Sequence, residues 1–156
     1  MKKGLFFCGF LCMLCLSGCG KRALLEEKLD ASEIDKVVVT MAMGNPAYGA
    51  DCKVITDPKE VQEFLFLFNN AVVDEKIEKG EEWIALSGSY TFFSGEEQVV
   101  KFNVNGNDPE RIWINDAFYE IEYPDDMADP YGLYSYSDAK IIVVDENGQE
   151  MIRPAE

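Results

Sequence analysis

The first residues with evident chemistry lie at the end of an uncharged N-terminal run. Residues 4–20 contain no charged side chain, and residues 5–16 are the most apolar part of that run. Cys19 supplies a thiol, the kind of nucleophile to which a lipid group is attached through sulfur. Ser17 and Gly18 before it are small, so that the extended backbone fits a narrow peptidase site. The spacing predicts a modified cysteine directly after a cleavage point.

These residues resemble the signal peptide and lipobox of bacterial lipoprotein precursors. Lys2 and Lys3 form a positive n-region, the apolar run forms an h-region, and Leu-Ser-Gly-Cys ends it at Cys19. The resemblance implies a signal peptide over residues 1–18, cleavage between Gly18 and Cys19, and a covalent diacylglycerol on Cys19. Each buried methylene contributes about 0.8 kcal/mol, so two acyl chains make a durable anchor. We expect a lipid-anchored protein on the extracytoplasmic face of the cell membrane.

Two other interpretations of this segment stay open on the residues alone. The uncharged run is 17 residues long, at the short end of the range of roughly 17–25 residues for a spanning helix. Lys21 and Arg22 follow it, so the distribution of positive charge does not decide an orientation. An ordinary secretory peptide with Cys19 present by chance is the second alternative.

A second group of candidate residues lies in segment 124–138, which we expect to be an irregular loop. It combines carboxylates with aromatic rings: Asp125, Asp126, Asp129, Tyr131, Tyr134, Tyr136 and Asp138. Carboxylates bind hard divalent cations, and tyrosine rings beside them hold sugars or cations through the ring quadrupole. The alternative is a solvated loop in which one or two tyrosines anchor the chain to the core. The segment is therefore a candidate cation or ligand site and not a firm metal site.

Catalysis has little support in the residue types. The chain has no histidine, which excludes triads and dyads that use one as the base. After cleavage Cys52 would be the remaining thiol, and we expect it to be a buried small hydrophobe. No glycine-rich phosphate-binding loop occurs. We expect a non-enzymatic protein with no catalytic residue, and a hydrolase with paired carboxylates remains a third possibility.

The net charge narrows the classes of partner. The full chain carries 14 basic and 29 acidic residues, a net charge of −15. Loss of Lys2 and Lys3 with the signal peptide would leave 12 basic and 29 acidic residues, a net charge of −17. A negative electrostatic field of this size repels nucleic acid and attracts cationic partners. The same charge also keeps a protein soluble without any partner. We expect no nucleic-acid partner.

Residues 19–32 are predicted to be a lipidated tether, and residues 33–156 one α+β domain of unknown function. Alternation predicts strands over 34–43 and 48–55. Asp57 and Pro58 begin a helix, and Glu60 completes an Asp-x-x-Glu box. The apolar stripe of the helix consists of Val61, Phe64, Leu65 and Phe68. The helix is expected to end near Asn69 and Asn70.

Beyond the helix, short alternating segments separated by turn residues predict an antiparallel meander packed against that one main helix. Its strands are expected at 83–93, 99–104, 111–115 and 117–123, after a charged loop at 74–82, and a further strand at 140–144.

Residues 34–123 resemble small lipoprotein domains of Gram-positive bacteria that have no assigned function. The matching positions are Ile55-Thr56-Asp57, Asn69-Asn70, Tyr90-x-Phe92 and Ile112-x-Ile114 with Tyr119. The resemblance implies a fold and a location, and it transfers no activity and no site residue.

The sequence thus favours a membrane-anchored binding or interaction module with an envelope protein or a glycan as partner. The alternative is a divalent-cation-binding domain that uses loop 125–138. The oligomeric state has no signature in the sequence.

Overall fold

The computed structural model describes residues 21–42, 48–77, 87–105, 108–114, 117–124 and 129–152. The predicted signal peptide (residues 1–18) and the predicted lipidation residue Cys19 lie outside the described residues, as do Asp125 and Asp126. The described strands are β1 (Arg22–Ala23), β2 (Lys36–Ala42), β3 (Ala50–Ile55), β4 (Val72–Ile77), β5 (Ser87–Ser94), β6 (Glu97–Asn105), β7 (Asp108–Ile114), β8 (Ala117–Glu122) and β9 (Ile141–Val144). The described helices are α1 (Pro58–Asn70) and α2 (Pro130–Tyr136).

The strands form one antiparallel sheet in the order β1-β4-β8-β7-β6-β5-β2-β3-β9. Strands β5 to β8 pair consecutively, as the turn residues between them predict, and they make the meander. Strand β2 lies between β5 and β3, while β4 joins the far side of β8. The sheet and the helices confirm the α+β class.

Local sequence explains helix α1. The Asp57 carboxylate accepts hydrogen bonds from the backbone N–H groups of Lys59 (3.0 Å) and Glu60 (3.1 Å), and Pro58 occupies the first turn. Glu60 does not close the predicted capping box, because its carboxylate accepts hydrogen bonds from Ser137 instead and from the backbone of Asp138. The apolar stripe of the helix is buried: Val61, Phe64, Leu65, Leu67 and Phe68.

The core lies between the helices and one face of the sheet, which we call the inner face. Phe68 is its centre, because its ring stacks on Phe102 at 4.8 Å and contacts Tyr90 and Phe92 at 5.4 Å each. Replacing such a buried ring with alanine costs about 3–5 kcal/mol. Leu133 and Tyr134 of α2 belong to the same core cluster. Both described helices therefore pack on the inner face, and neither covers the opposite, outer face.

Three segments differ from the sequence predictions. Residues 130–136, expected to be irregular, form α2. Residues 74–77, expected to be loop, belong to β4, which gains order by pairing with β8. Leu24, Leu25 and Leu29 in the predicted tether pack against the core.

The same N-terminal segment is held by hydrogen bonds to the end of α1. The Asn69 amide donates to Leu29 O at 2.9 Å and accepts from Leu29 N at 2.8 Å, and Leu24 N donates to Ala71 O. The structure thus joins residues 24–29 to the domain. Within the described ranges, no helix is long and apolar enough to span a membrane.

Candidate functional site

The predicted ligand loop is organised around helix α2. The Asp129 carboxylate caps the helix and accepts a hydrogen bond from Gly132 N at 2.6 Å. Pro130 follows at the first helical position, where its fixed φ is already helical. The short helix replaces the expected irregular loop because this cap satisfies part of its first turn. The signal was Asp129-Pro130, the same pair that begins α1 at Asp57-Pro58.

Helix α2 distributes the candidate residues over different surroundings. Tyr134 is buried, whereas Tyr131 is 54 % exposed and Tyr136 is 80 % exposed. The rings of Tyr131 and Tyr134 lie 6.3 Å apart. Tyr134 thus anchors α2 to the core, as one alternative predicts, while Tyr131 and Tyr136 remain accessible to a ligand.

The described acidic residues of the segment do not converge. Asp129 precedes α2 and Asp138 follows it, so about 10 Å of helix separates them. Among the residues that the structure describes, no three cysteine, aspartate or glutamate side chains are grouped as a metal site.

A cleft of about 270 Å³ opens between the start of α1 and the end of α2. It is lined by Asp57, Lys59, Glu60, Glu63, Phe64, Leu133, Tyr136 and Ser137. Three carboxylates and one ammonium group border it, which makes the cleft acidic. Phe64 and Leu133 give it an apolar floor, and the exposed ring of Tyr136 stands at its rim. We call this the α1–α2 cleft.

The polar groups of the α1–α2 cleft are partly engaged with each other. Ser137 Oγ donates to Glu60 Oε2 at 2.5 Å, and Asp138 N lies 3.4 Å from Glu60 Oε1. Glu63 Oε1 is 3.9 Å from Lys59 Nζ, a loose and solvent-exposed ion pair. Glu60 therefore links the two helices, while Glu63 keeps most of its acceptor capacity for a ligand.

Lys53 holds the other side of α2. Its side chain is 5 % exposed and lies on the inner face of β3. The Nζ atom donates to the carbonyl oxygens of Tyr134 and Ser137 at 2.7 Å each, and lies 4.7 Å from the centre of the Tyr134 ring. A cation at the last carbonyls of a helix satisfies acceptors that have no partner within the helix. Lys53 thus fixes the end of α2 beside the cleft.

Two tyrosine hydroxyls near the start of α2 are buried without a hydrogen-bond partner among the described residues, those of Tyr90 and Tyr123. Burial raises the pKa of both phenols, and the nearby carboxylate of Asp129 raises the pKa of each further. The neutral phenol is therefore the form that the folded chain holds.

Cys52 has the properties of a structural residue. It is buried, as expected, and burial raises the pKa of its thiol. The thiolate, which is the nucleophilic form, is accordingly disfavoured near neutral pH.

The sequence analysis did not identify Lys53, Glu60 and Glu63 as site residues. Alternation in β3 places Lys53 on the same face as Ile55, which was an available signal for its burial. The approach of Glu60 to Ser137 joins residues 77 positions apart, and no local pattern reports such a contact.

Comparison with known proteins adds no functional assignment. No family model, no curated protein and no solved structure matches this chain.

Proposed function

We propose that this chain is a lipid-anchored, non-enzymatic binding module on the extracytoplasmic face of the cell membrane. The anchor is the diacylglycerol expected on Cys19, after removal of residues 1–18 as a signal peptide. The binding site is the α1–α2 cleft, and its ligand is a cationic group of an envelope protein.

The observation that carries the binding role is the exposed ring of Tyr136 at the rim of an acidic cleft. A phenol ring that is 80 % exposed contributes little to folding. An aromatic face beside carboxylates attracts an ammonium or guanidinium group through both the ring quadrupole and charge. Glu63 lines the same cleft from α1 and supplies the opposite charge. The net charge of −15 attracts such a partner from a distance.

The anchor is tested in a bacterial host by comparing the wild type with Cys19→Ser. We expect the wild type to sediment with membranes and to partition into detergent, and its N-terminal peptide to carry the mass of a diacylglyceryl group. The Cys19→Ser protein should retain residues 1–18 or leave the membrane. A wild-type protein with an unmodified thiol at Cys19 would contradict the anchor.

The cleft is tested by titrating the protein with a trilysine peptide. Tyr136→Ser and Glu63→Gln should each weaken binding by about two- to fivefold, the scale of one exposed cation–π or charge contact. Tyr131→Ser is the matched control, because Tyr131 is also exposed on α2 but does not line the cleft. Equal affinities for the three variants and the wild type would remove the α1–α2 cleft as the binding site.

A further inference from the structure

The outer face of the sheet carries an uncharged row of side chains that crosses five neighbouring strands. Cross-strand register places Phe118 opposite Trp113, Trp113 opposite Asn103, Asn103 opposite Ser89, and Ser89 opposite Thr40. Neighbouring strands lie about 4.8 Å apart, so the row is about 19 Å long. We call these five residues the outer row.

One end of the outer row is an aromatic wall. The rings of Trp113 and Phe118 stack with centroids 5.7 Å apart and planes inclined by 18°. Trp113 nevertheless remains 44 % exposed. Phe118 therefore covers only part of the indole, and apolar surface of Trp113 remains open to solvent. The aromatic pair therefore offers a flat apolar surface on which a ligand can stack.

The rest of the outer row offers hydrogen-bonding groups without charge. Asn103 has an amide and Ser89 a hydroxyl, each partly exposed. The Thr40 hydroxyl is also partly exposed, and it is already hydrogen-bonded to the Cys52 thiol. The nearest charged neighbours on β7 and β8 are of opposite sign, with Arg111 directly opposite Glu120. None of the five side chains of the outer row carries a charge. The surface therefore matches an uncharged ligand and not the cationic group that suits the α1–α2 cleft.

We propose that the outer row binds an uncharged, extended glycan strand. Sugar rings present apolar faces that stack on indole and hydroxyl groups that pair with amides and hydroxyls, which is the combination in this row. The linear arrangement across strands, at intervals of about 4.8 Å, suits successive rings of a β-linked chain. The proposal adds a second ligand class to the proposed binding role, and it depends on a different face of the domain.

The test is calorimetric titration of the full-length protein in a detergent without a sugar headgroup. The probes are hexamers of β-1,4-linked glucose, β-1,3-linked glucose and β-1,4-linked N-acetylglucosamine, with a uronate-containing hexamer as the anionic comparison. We expect at least one neutral hexamer to bind, with an affinity that does not change with added salt, because no charge is neutralised. The anionic hexamer should bind more weakly.

Variants assign the binding to the outer row. Trp113→Ala should weaken it by about tenfold through loss of stacking, and Asn103→Ala by about fivefold through loss of a hydrogen bond. Trp113→Phe keeps an aromatic face and should retain most of the affinity, which separates recognition from folding. Phe66→Ala is the matched control, since Phe66 is a 46 % exposed ring on α1.

Two outcomes overturn the proposal. No binding of any neutral hexamer at millimolar concentration does so, as does wild-type affinity in folded Trp113→Ala. If Tyr136→Ser removed glycan binding and Trp113→Ala did not, the ligand would belong to the α1–α2 cleft. In that case the proposed function would stand and the role of the outer row would fall.

Discussion

Lys53 is a buried cation that contacts main-chain oxygens of α2. Its two hydrogen bonds, to Tyr134 O and Ser137 O, are charge-assisted and short at 2.7 Å. Its aliphatic stem lies among the core residues of β3 while its ammonium group reaches the end of α2. A residue type that usually lies in solvent thus connects the sheet to α2.

We expect Lys53→Met to lower the free energy of unfolding by about 2 kcal/mol, because it leaves two buried carbonyl groups without a donor. Lys140→Met is the control, since Lys140 is exposed and should change stability by less than about 0.5 kcal/mol. Urea unfolding measures both. Equal midpoints would show that Lys53 does not hold α2.

The buried phenols of Tyr90 and Tyr123 predict a dependence on alkaline pH. Their pKa values are raised from an ordinary value of 10.0. The unfolded chain therefore releases these protons first, and stability that is full below about pH 10 is lost as pH rises above it.

The double variant Tyr90→Phe/Tyr123→Phe removes both ionisable groups and both unpaired hydroxyls. At neutral pH its unfolding free energy should equal that of the wild type or exceed it by up to about 1 kcal/mol. Between about pH 9 and 11 it should decline less steeply than the wild type. If urea unfolding gave the same pH dependence of the unfolding free energy for both proteins, the phenols would not contribute to the loss of stability at alkaline pH.

At the scale of elements, the start of β3 depends on one glycine. Gly49 has φ +69°, in the left-handed region, and a Cβ atom there would lie 2.6 Å from Val144 O in β9. Gly148 has φ +78°, yet a Cβ atom there would meet nothing within 4 Å. The two positions separate the effect of a backbone clash from that of conformation alone.

Gly148→Ala should cost about 1 kcal/mol, the penalty of a left-handed residue with a side chain. Gly49→Ala should cost clearly more, because the pairing of β3 with β9 must also shift. Thermal unfolding of the two variants gives the comparison. If the two variants lost the same stability, the pairing of β3 with β9 would adapt to the added Cβ atom at residue 49 without a further loss of free energy.

Elements defined by local signals were predictable, and elements defined by distant pairing were not. Helix α1 begins at the predicted Asp57-Pro58 and ends at Asn70, because capping and an apolar stripe both depend on nearby residues. Strand β4 reads as a charged loop in sequence, since its order comes from pairing with β8. The composition of the outer row could not be predicted from the sequence either, because its residues lie on five different strands. Alternation within β7 puts Arg111 and Trp113 on one face, but only the pairing of β7 with β6 shows that Asn103 lies opposite Trp113.

At the scale of the whole molecule, the N-terminal segment is part of the folded unit. The reciprocal hydrogen bonds between Asn69 and Leu29 tie it to the last turn of α1. Asn69→Ala should lower the unfolding free energy by about 1–2 kcal/mol and speed hydrogen exchange at the Leu29 amide. Gln62→Ala is the control, because Gln62 is an exposed residue of the same helix; Asn70 is unsuitable, since its side chain accepts a hydrogen bond from Lys28 at 2.9 Å. Unchanged exchange at Leu29 would show that the segment is held by its leucines alone.

Strand β1 begins at Arg22, two residues after Gly20, and forms one border of the sheet. With Cys19 acylated as proposed, three residue steps lead from the lipid to this border, a reach of about 10 Å. The β1 border of the sheet would therefore lie within about 10 Å of the lipid attachment point. Eight strand intervals of about 4.8 Å lie between β1 and β9, so the opposite border of the sheet lies up to about 38 Å from β1. The distance from the membrane at which the domain meets its partners would then be limited by this short link and by the width of the sheet.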